Sequence, residues 1–285
     1  MTRLRPLREI FYRIPGRVEG HLPGAHRSRE AGLGTLFYGV TDFLHHPDLQ
    51  RLELRRSFTD PFRRLHVRIF EHPTVATVVI AADLSASMAA AGSKRLQLAT
   101  LTEGLAMGAR RLGDCFGFVG FDRRVRRGWV MPPMTATGWV RSWCQRLNDH
   151  PWQGDGAQGA LQLAQWLPTR RCLVVLVSDF HWPDGLLPQV LGRLGTHLVV
   201  PVVLWSRAET EDWPRWGIRR VVDAETGREI LAWLHPRWRH RLQERYRQRR
   251  QTLQRLFRTS GCQPLWLEDA IDPSRIERHF HALAG

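Results

Sequence analysis

Lysine is almost missing from this chain. Lys94 stands alone, so nearly all of the 42 basic side chains, set against 27 acidic ones, are arginine. A formal charge of +15 would suit a nucleic-acid ligand, because a basic surface attracts phosphate. Arginine at the expense of lysine is, however, what a coding bias produces, and the arginines are scattered with no aromatic-interleaved RNA motif and no zinc finger. An acidic protein partner or a solvated basic surface therefore stands ahead of specific nucleic-acid binding. Cysteine is scarce too: Cys115, Cys144, Cys172 and Cys262 lie far apart with no Cys-x-x-Cys pair, which argues against a disulfide framework or a zinc site. Cys115 and Cys172 sit in apolar runs and read as buried thiols. No stretch approaches the roughly 18 to 20 apolar residues that cross a bilayer, and Met1-Thr-Arg-Leu-Arg-Pro-Leu-Arg8 has no apolar signal-peptide run, so a cytoplasmic protein without a membrane span is expected. A Gly-x-Ser-x-Gly elbow is lacking, and Lys94 lacks the glycine pattern of a phosphate-cradling loop.

What is present is a hydrophobic content of 43% over 285 residues, enough for a full core. Residues 1–72 are rich in Arg, Gly, His and Pro, with short extended-looking pieces at Leu52-Glu-Leu54 and Leu65 to Phe70, and read as an irregular or β-rich preface. Residues 73–285 change texture. Buried strands are expected at Val75 to Asp83, Cys115 to Phe121, Cys172 to Val177 and His197 to Leu204, with an edge strand at Val125 to Val130. Helical spacing runs from Arg95 to Leu112, and Leu161 to Trp166 closes a further helix. Continuous apolar strands alternating with amphipathic helices specify an α/β fold with a doubly wound, mainly parallel sheet. A hairpin follows from Ile218 to Ile230 with its turn at Glu225-Thr-Gly227. A long basic helix from about Arg237 to Arg258 comes next, and Pro264 to Leu267 returns to the sheet.

Ligands of such sheets bind where loops leave the carboxyl ends of the strands. Asp83 ends the first strand, Asp179 ends the third, and Asp155 lies in Gln153-Gly-Asp155-Gly156 just before a helix. Ser85 and Ser87 follow Asp83 at a spacing of two. Carboxylates with hydroxyls are hard oxygen donors that suit Mg²⁺ or Mn²⁺. The same Asp-x-Ser-x-Ser pattern can also be a helix N-cap and nothing more. Its place after a buried strand, with Ser178-Asp179 at a later strand end, tips the reading toward a metal-type site.

Asp83-Leu-Ser85-Ala-Ser87-Met88 resembles the first loop of the von Willebrand factor A metal-ion-dependent adhesion site, and Ser178-Asp179-Phe180 resembles its third. More narrowly, the chain resembles the bacterial domain-of-unknown-function family number 58. The matching features are Gly24-Ala-His26-Arg-Ser28, Gly32-Leu-Gly34-Thr-Leu-Phe37, Arg51-Leu-Glu53-Leu-Arg55, Val67-Arg-Ile-Phe70-Glu71, Gly113-Asp114 and Asp223-Ala-Glu-Thr-Gly227. The resemblance runs from about residue 20 to the end. It implies a von Willebrand factor A-like sheet and a non-enzymatic, protein-binding role beside a MoxR-type AAA+ ATPase in a chaperone-like system. Such a system matures a client enzyme or inserts its metal, and the arginine-rich form is similar to members linked to methanol dehydrogenase assembly.

The chain departs from that pattern twice. His46-Pro47-Asp48 replaces the usual Gly-Asp-Asp ahead of Arg51, and Gly154-Asp155-Gly156 stands where Gly-Thr-Asp would supply a threonine ligand. Either Asp155 coordinates, the loop shifts by one residue, or the site holds no metal; the expectation leans toward retained Mg²⁺ or Mn²⁺. A metal-dependent phosphohydrolase on Asp83, Asp155 and Asp179 is the enzymatic alternative, and nucleic-acid binding a third reading. His181, next to Asp179, and Trp205, Trp213 and Trp216, clustered after the fourth strand, are candidate partner contacts. Trp238, Leu242, Tyr246, Leu253 and Phe257 should pack the basic helix on the domain, leaving Arg239, Arg247 and Arg250 outward.

Overall fold

The computed structural model describes residues 9–12, 23–32, 36–90, 93–150, 152, 154–209, 216–222, 229–269 and 271–284. The chain divides into two compact units, Ile14–Ala76 and Met1–Arg13 with Thr77–Gly285.

The smaller unit holds β1 (Pro23–Gly32), β2 (Leu36–Asp42), α1 (Leu54–Thr59) and β3 (His66–Thr74). Its strands form an antiparallel sheet in the order β1-β3-β2. Leu52 makes an isolated antiparallel bridge to Val67, but Leu54 opens a helix, which corrects the extended reading of Leu52-Glu-Leu54. Local polar side chains decide this: Ser57 Oγ donates to the Glu53 carbonyl (2.8 Å) and accepts from the His66 N–H (2.8 Å). Asp60 then takes the Phe62 N–H at 2.7 Å, so the segment is tied into a helix and turn before β3 begins.

The larger unit is built on β4 (Thr77–Asp83), β5 (Cys115–Phe121), β6 (Val125–Met134), β7 (Leu173–Ser178) and β8 (Leu198–Trp205). A separate antiparallel hairpin follows, β9 (Gly217–Val222) and β10 (Glu229–Leu234), and then β11 (Leu265–Glu268). The six-stranded sheet has the order β11-β8-β7-β4-β5-β6, all parallel except the β6 edge. From β4 the chain steps to β5 on one side and later returns to β7 on the other, so the loops after β4 and β7 open toward one crevice. The four buried strands and the edge strand fall where the apolar runs place them. The hairpin turn expected at Glu225 to Gly227 lies outside the described residues.

Helices α2 (Ala86–Ala90), α3 (Ser93–Leu112), α4 (Val140–Asp149), α5 (Leu186–Arg193), α6 (Pro236–Thr259) and α7 (Pro273–Ala284) accompany the sheet. On α3 the buried residues Leu98, Leu101, Leu105 and Ala109 recur at helical spacing. On α6, Leu253 and Phe257 enter the core and Tyr246 packs against it. The stretch read as closing a helix at Leu161 to Trp166 is instead a 3-10 helix, Gln158–Gln165. Gly159 pins its first turn by donating to the Asp122 carbonyl (2.8 Å), an approach so close that a Cβ would collide with the Arg124 backbone. Among the described residues no helix is long and apolar enough to cross a membrane.

Residues 9–12 belong with the larger unit, not with the preface to which sequence texture assigns them. The Ile10 N–H donates to the Gly104 carbonyl (3.2 Å), and Tyr12 Oη donates to Asp114 Oδ2 (2.6 Å). Gly104 and Gly108 make the approach possible, since a Cβ on Gly108 would collide with the Ile10 carbonyl. Gly108→Val is therefore expected to cost about 1–3 kcal/mol and to strip the Ile10 amide of its exchange protection, read by denaturant titration and hydrogen exchange. Full Ile10 protection in the variant would refute this packing.

Burial pushes the Cys144 and Cys172 thiols up to about 12. Neither is thiolate near pH 8, and neither is open to reagent. Native-state labelling with a thiol reagent at mildly alkaline pH should leave both unmodified, and raising the pH should speed their reaction only once the fold opens. Rapid labelling of either in the folded protein would contradict the placement.

Candidate functional site

The carboxyl ends of β4 and β7 hold a cluster of polar side chains with almost no contact with water. Asp83, Ser85, Lys94, Ser178 and Asp179 are all buried. The Asp83 carboxylate is fully engaged: one oxygen accepts the Ser85 N–H (3.0 Å), and the other accepts from Ser178 Oγ (2.7 Å) and Trp182 Nε1 (2.9 Å). The first of these is the Asx-type turn that an Asp at a strand end makes with the residue two places on, and it bends the chain from β4 into α2. Asp179 repeats the device, accepting the His181 N–H (3.1 Å) on one oxygen and Lys94 Nζ (3.0 Å) on the other. Lys94 also meets Glu209 Oε1 at 2.6 Å and the Ser87 carbonyl at 3.5 Å.

The loop after β7 is strained and anchored. Phe180 has φ +53° and is fully buried, a conformation that a bulky residue adopts only when its surroundings hold it. Its N–H donates to Ser178 Oγ (2.9 Å), its ring packs edge-on against Phe257 (5.2 Å), and Arg249 of α6 donates to the carbonyls of Phe180 (2.8 Å) and Trp182 (2.7 Å).

The two carboxylates are driven apart in acidity. Burial, and then the nearby charge of Asp179, push Asp83 up to about 6 against the hydrogen bonds from Ser178, Trp182 and Ser85. Burial also works to raise Asp179, but the Lys94 ammonium outweighs it and holds that carboxyl below its ordinary value. Protein crowded around the His181 ring lowers its pKa, although the residue keeps an exposed edge. That ring stacks flat on Trp205, 5.8 Å away at 4°, and meets Tyr246 edge-on at 5.4 Å.

Of the three acidic positions singled out in the sequence, the structure brings together Asp83 and Asp179. Asp155 lies apart, about half exposed and paired with Arg123 at 3.3 Å. No group of three or more His, Cys, Asp or Glu side chains suited to a metal occurs among the described residues. Ser85 and Ser87 do converge, with Oγ to Oγ 3.1 Å, but onto each other. The second loop reaches the first through backbone only: Ser85 bridges to Gly154, whose carbonyl accepts the Ala86 N–H (2.7 Å). A Cβ on Gly154 would collide with the Asp122 carboxylate, so the backbone approach of the two loops requires glycine there. These donors fit poorly the octahedral oxygen sphere that Mg²⁺ or Mn²⁺ demands, because Asp155 of the second loop is paired with Arg123 instead and each oxygen of Asp83 and Asp179 already accepts from the protein.

Among the expected partner contacts, Trp205 is buried, donating through Nε1 to the Asp179 carbonyl (2.8 Å), so it supports the loop from within. Trp216 is exposed and meets the His235 ring edge-on at 4.6 Å. Trp213 lies outside the described residues. Sequence reasoning passed over four residues: Lys94, Trp182, Glu209 and Arg249. A lone lysine in an arginine-rich chain was a usable signal for Lys94; nothing in spacing or composition marked the other three.

Beside the first loop opens a cleft of about 830 Å³ lined by Leu84, Gly154, Trp129, Trp152 and a run of basic side chains from Arg124 to Arg127, with Arg146 opposite. The Arg146 guanidinium lies over the Trp129 ring (4.2 Å) and donates to the Gly128 carbonyl (3.0 Å). Arg126 pairs with the buried Asp122, which leaves the cleft with a net positive lining.

The model of a family described as "Protein of unknown function DUF58" matches residues 58–252, more than half of the chain. The chain belongs to the DUF58 family. A protein of Paracoccus denitrificans, described as an uncharacterized protein in the moxR 3′ region, is 34% identical over 103 residues, covering 36% of this chain and 98% of its own. Among solved structures, BatB of Bacteroides thetaiotaomicron is similar at 12% identity and a TM-score of 0.45, over 73% of this chain and 98% of that one. An aerotolerance-related membrane protein of Bacteroides fragilis is similar at 15% identity and 0.42, over 73% and 96%.

The raised Asp83 gives a pH test. Its folded value of about 6 lies above the ordinary 3.8, so the folded chain binds this proton more tightly than the unfolded chain does. Ionising it costs stability, a cost that grows between those two values and is complete above them. Asp83→Asn of this DUF58 protein carries no such proton. Its stability relative to wild type, from urea titrations across a pH series, should rise from about pH 4 to about pH 6 and then level off. A difference that does not vary with pH would show Asp83 unperturbed.

Proposed function

We propose that this DUF58 protein is a non-enzymatic binding adaptor, working in the cytoplasm beside a MoxR-type AAA+ ATPase in the maturation of a client enzyme, with methanol dehydrogenase as one candidate client. The carrying observation is the relative in the moxR 3′ region, matched along nearly its whole length. The site supports binding over catalysis. Asp83 and Asp179 are both buried and hydrogen-bonded to protein, so a phosphoester approaching them would have to displace Trp182, Lys94 or the serines first. General acid or base chemistry needs a carboxyl within reach of a substrate proton, and these are enclosed.

The arginine-lined cleft beside the first loop supplies the complementary surface. Guanidinium groups recognise carboxylates through paired N–H donors, and Arg146 is already oriented by its stacking on Trp129. An acidic segment of the ATPase or of the client is the ligand that this chemistry suits.

The test is direct binding between the purified chain and a MoxR-type ATPase of the same organism, with and without nucleotide. We expect a complex, weakened at least tenfold by the charge reversal Arg124→Glu/Arg127→Glu, about 1.4 kcal/mol, with unchanged thermal unfolding. No complex under any nucleotide condition would end the adaptor reading. A complex indifferent to the double reversal would move the contact away from the cleft.

A further inference from the structure

The only lysine of the chain is also among its most deeply buried side chains, at 0% exposure. An ammonium carries three N–H donors on a flexible stem, and Lys94 Nζ finds three acceptors. Each acceptor belongs to a different segment at the carboxyl end of the sheet: the Ser87 carbonyl after β4 (3.5 Å), Asp179 Oδ2 after β7 (3.0 Å) and Glu209 Oε1 after β8 (2.6 Å). Two carboxylate oxygens within 3.0 Å favour the charged form of the amine over the neutral one.

Binding three loops through oxygen donors around one positive centre is what a divalent cation does at a site of hard ligands. We propose that the Lys94 ammonium is the resident cation of this loop cluster, holding the loops together where a metal would, and that the cluster takes neither Mg²⁺ nor Mn²⁺.

Three further observations agree. Asp155, which stands where the threonine ligand would be, is about half exposed and paired with Arg123 at 3.3 Å, so it brings no side-chain oxygen to the cluster. The two serine hydroxyls satisfy each other at 3.1 Å. A divalent ion seated between Asp83 and Asp179 would also meet the ammonium already 3.0 Å from Asp179, and repulsion between like charges is severe where the groups are buried. The inference is independent of which protein the chain binds.

The test uses the intact chain. Equilibrium dialysis against millimolar Mn²⁺, read by atomic emission and by electron paramagnetic resonance of free Mn²⁺, is expected to find no ion on the cluster, and chelator should leave the unfolding temperature unchanged. In parallel, an amine-reactive ester probes Lys94 itself, since the chain's only other amine is its α-amine. Lys94 should react at least a hundredfold more slowly in the folded than in the urea-unfolded protein. One equivalent of Mn²⁺ that disappears in Ser87→Ala would overturn the proposal, as would Lys94 labelling at the unfolded rate in the native state. Mn²⁺ that survives Ser87→Ala sits elsewhere on the chain and leaves the cluster as proposed.

Discussion

A charge removed from water must be matched by charge and hydrogen bonds at once, and in this protein that requirement is concentrated on one ammonium. Breaking a buried ion pair by removing one partner costs on the order of 3–5 kcal/mol, because the remaining charge stays behind uncompensated. Lys94 is set between Asp179 and Glu209, so helix α3, the loop after β7 and the segment after β8 must be in register together. Other features follow from that demand. Trp205 holds the Asp179 carbonyl from below, and Arg249 ties the carbonyls of Phe180 and Trp182 from α6. Phe180 can keep its left-handed backbone only because Phe257 and Ser178 fix it on both sides.

The same geometry explains why two carboxylates in one pocket behave differently. Burial works to raise both; at Asp179 the ammonium outweighs it, whereas at Asp83 burial and the neighbouring negative charge prevail over the neutral donors, so its proton is held more tightly. Neutral donors such as a serine hydroxyl and an indole N–H stabilise an anion less than a cation in contact does. The cluster thus sets a firmly charged Lys94–Asp179 pair beside an equally buried Asp83 whose proton is held more tightly.

The sheet was legible in the sequence because strands buried on both faces must be apolar throughout, and the four runs ending at Asp83, Phe121, Val177 and Leu204 leave no other reading. Local polar chemistry was not legible in the same way. Leu54 looked extended until Ser57 and Asp60 closed a helix around it, and the stretch before Trp166 took a 3-10 form because Gly159 passes over the turn after β5. Asp83, Ser85 and Asp179 could be placed together by knowing that loops at strand ends meet. Glu209 could not, because its partnership with Lys94 spans β8 and leaves no spacing in the chain. Asp155 carried a readable hint by standing where Gly-Thr-Asp has its threonine, but its placement depends on Arg123, with which it pairs, and on the close packing of Gly154 against the Asp122 carboxylate.

That packing bears on how the cleft beside the loops can bind. Asp122 sits where Gly154, Gly159 and Arg126 converge, accepting the Arg124 N–H (3.1 Å) and offering its own carbonyl to Gly159. The turn carrying Arg124, Arg126 and Arg127 is therefore held by Asp122, and Gly154, which packs against Asp122, also bridges to Ser85 of the loop cluster. Arginines displayed on a rigid turn lose less conformational freedom on binding than arginines on a mobile one, and preorganisation of this kind raises affinity without any new contact. Recognition of the acidic segment proposed above would then depend on Asp122 and the backbone that it holds, even where this buried side chain does not touch the partner. Buried Asp122 shapes the surface by fixing the turn that presents it.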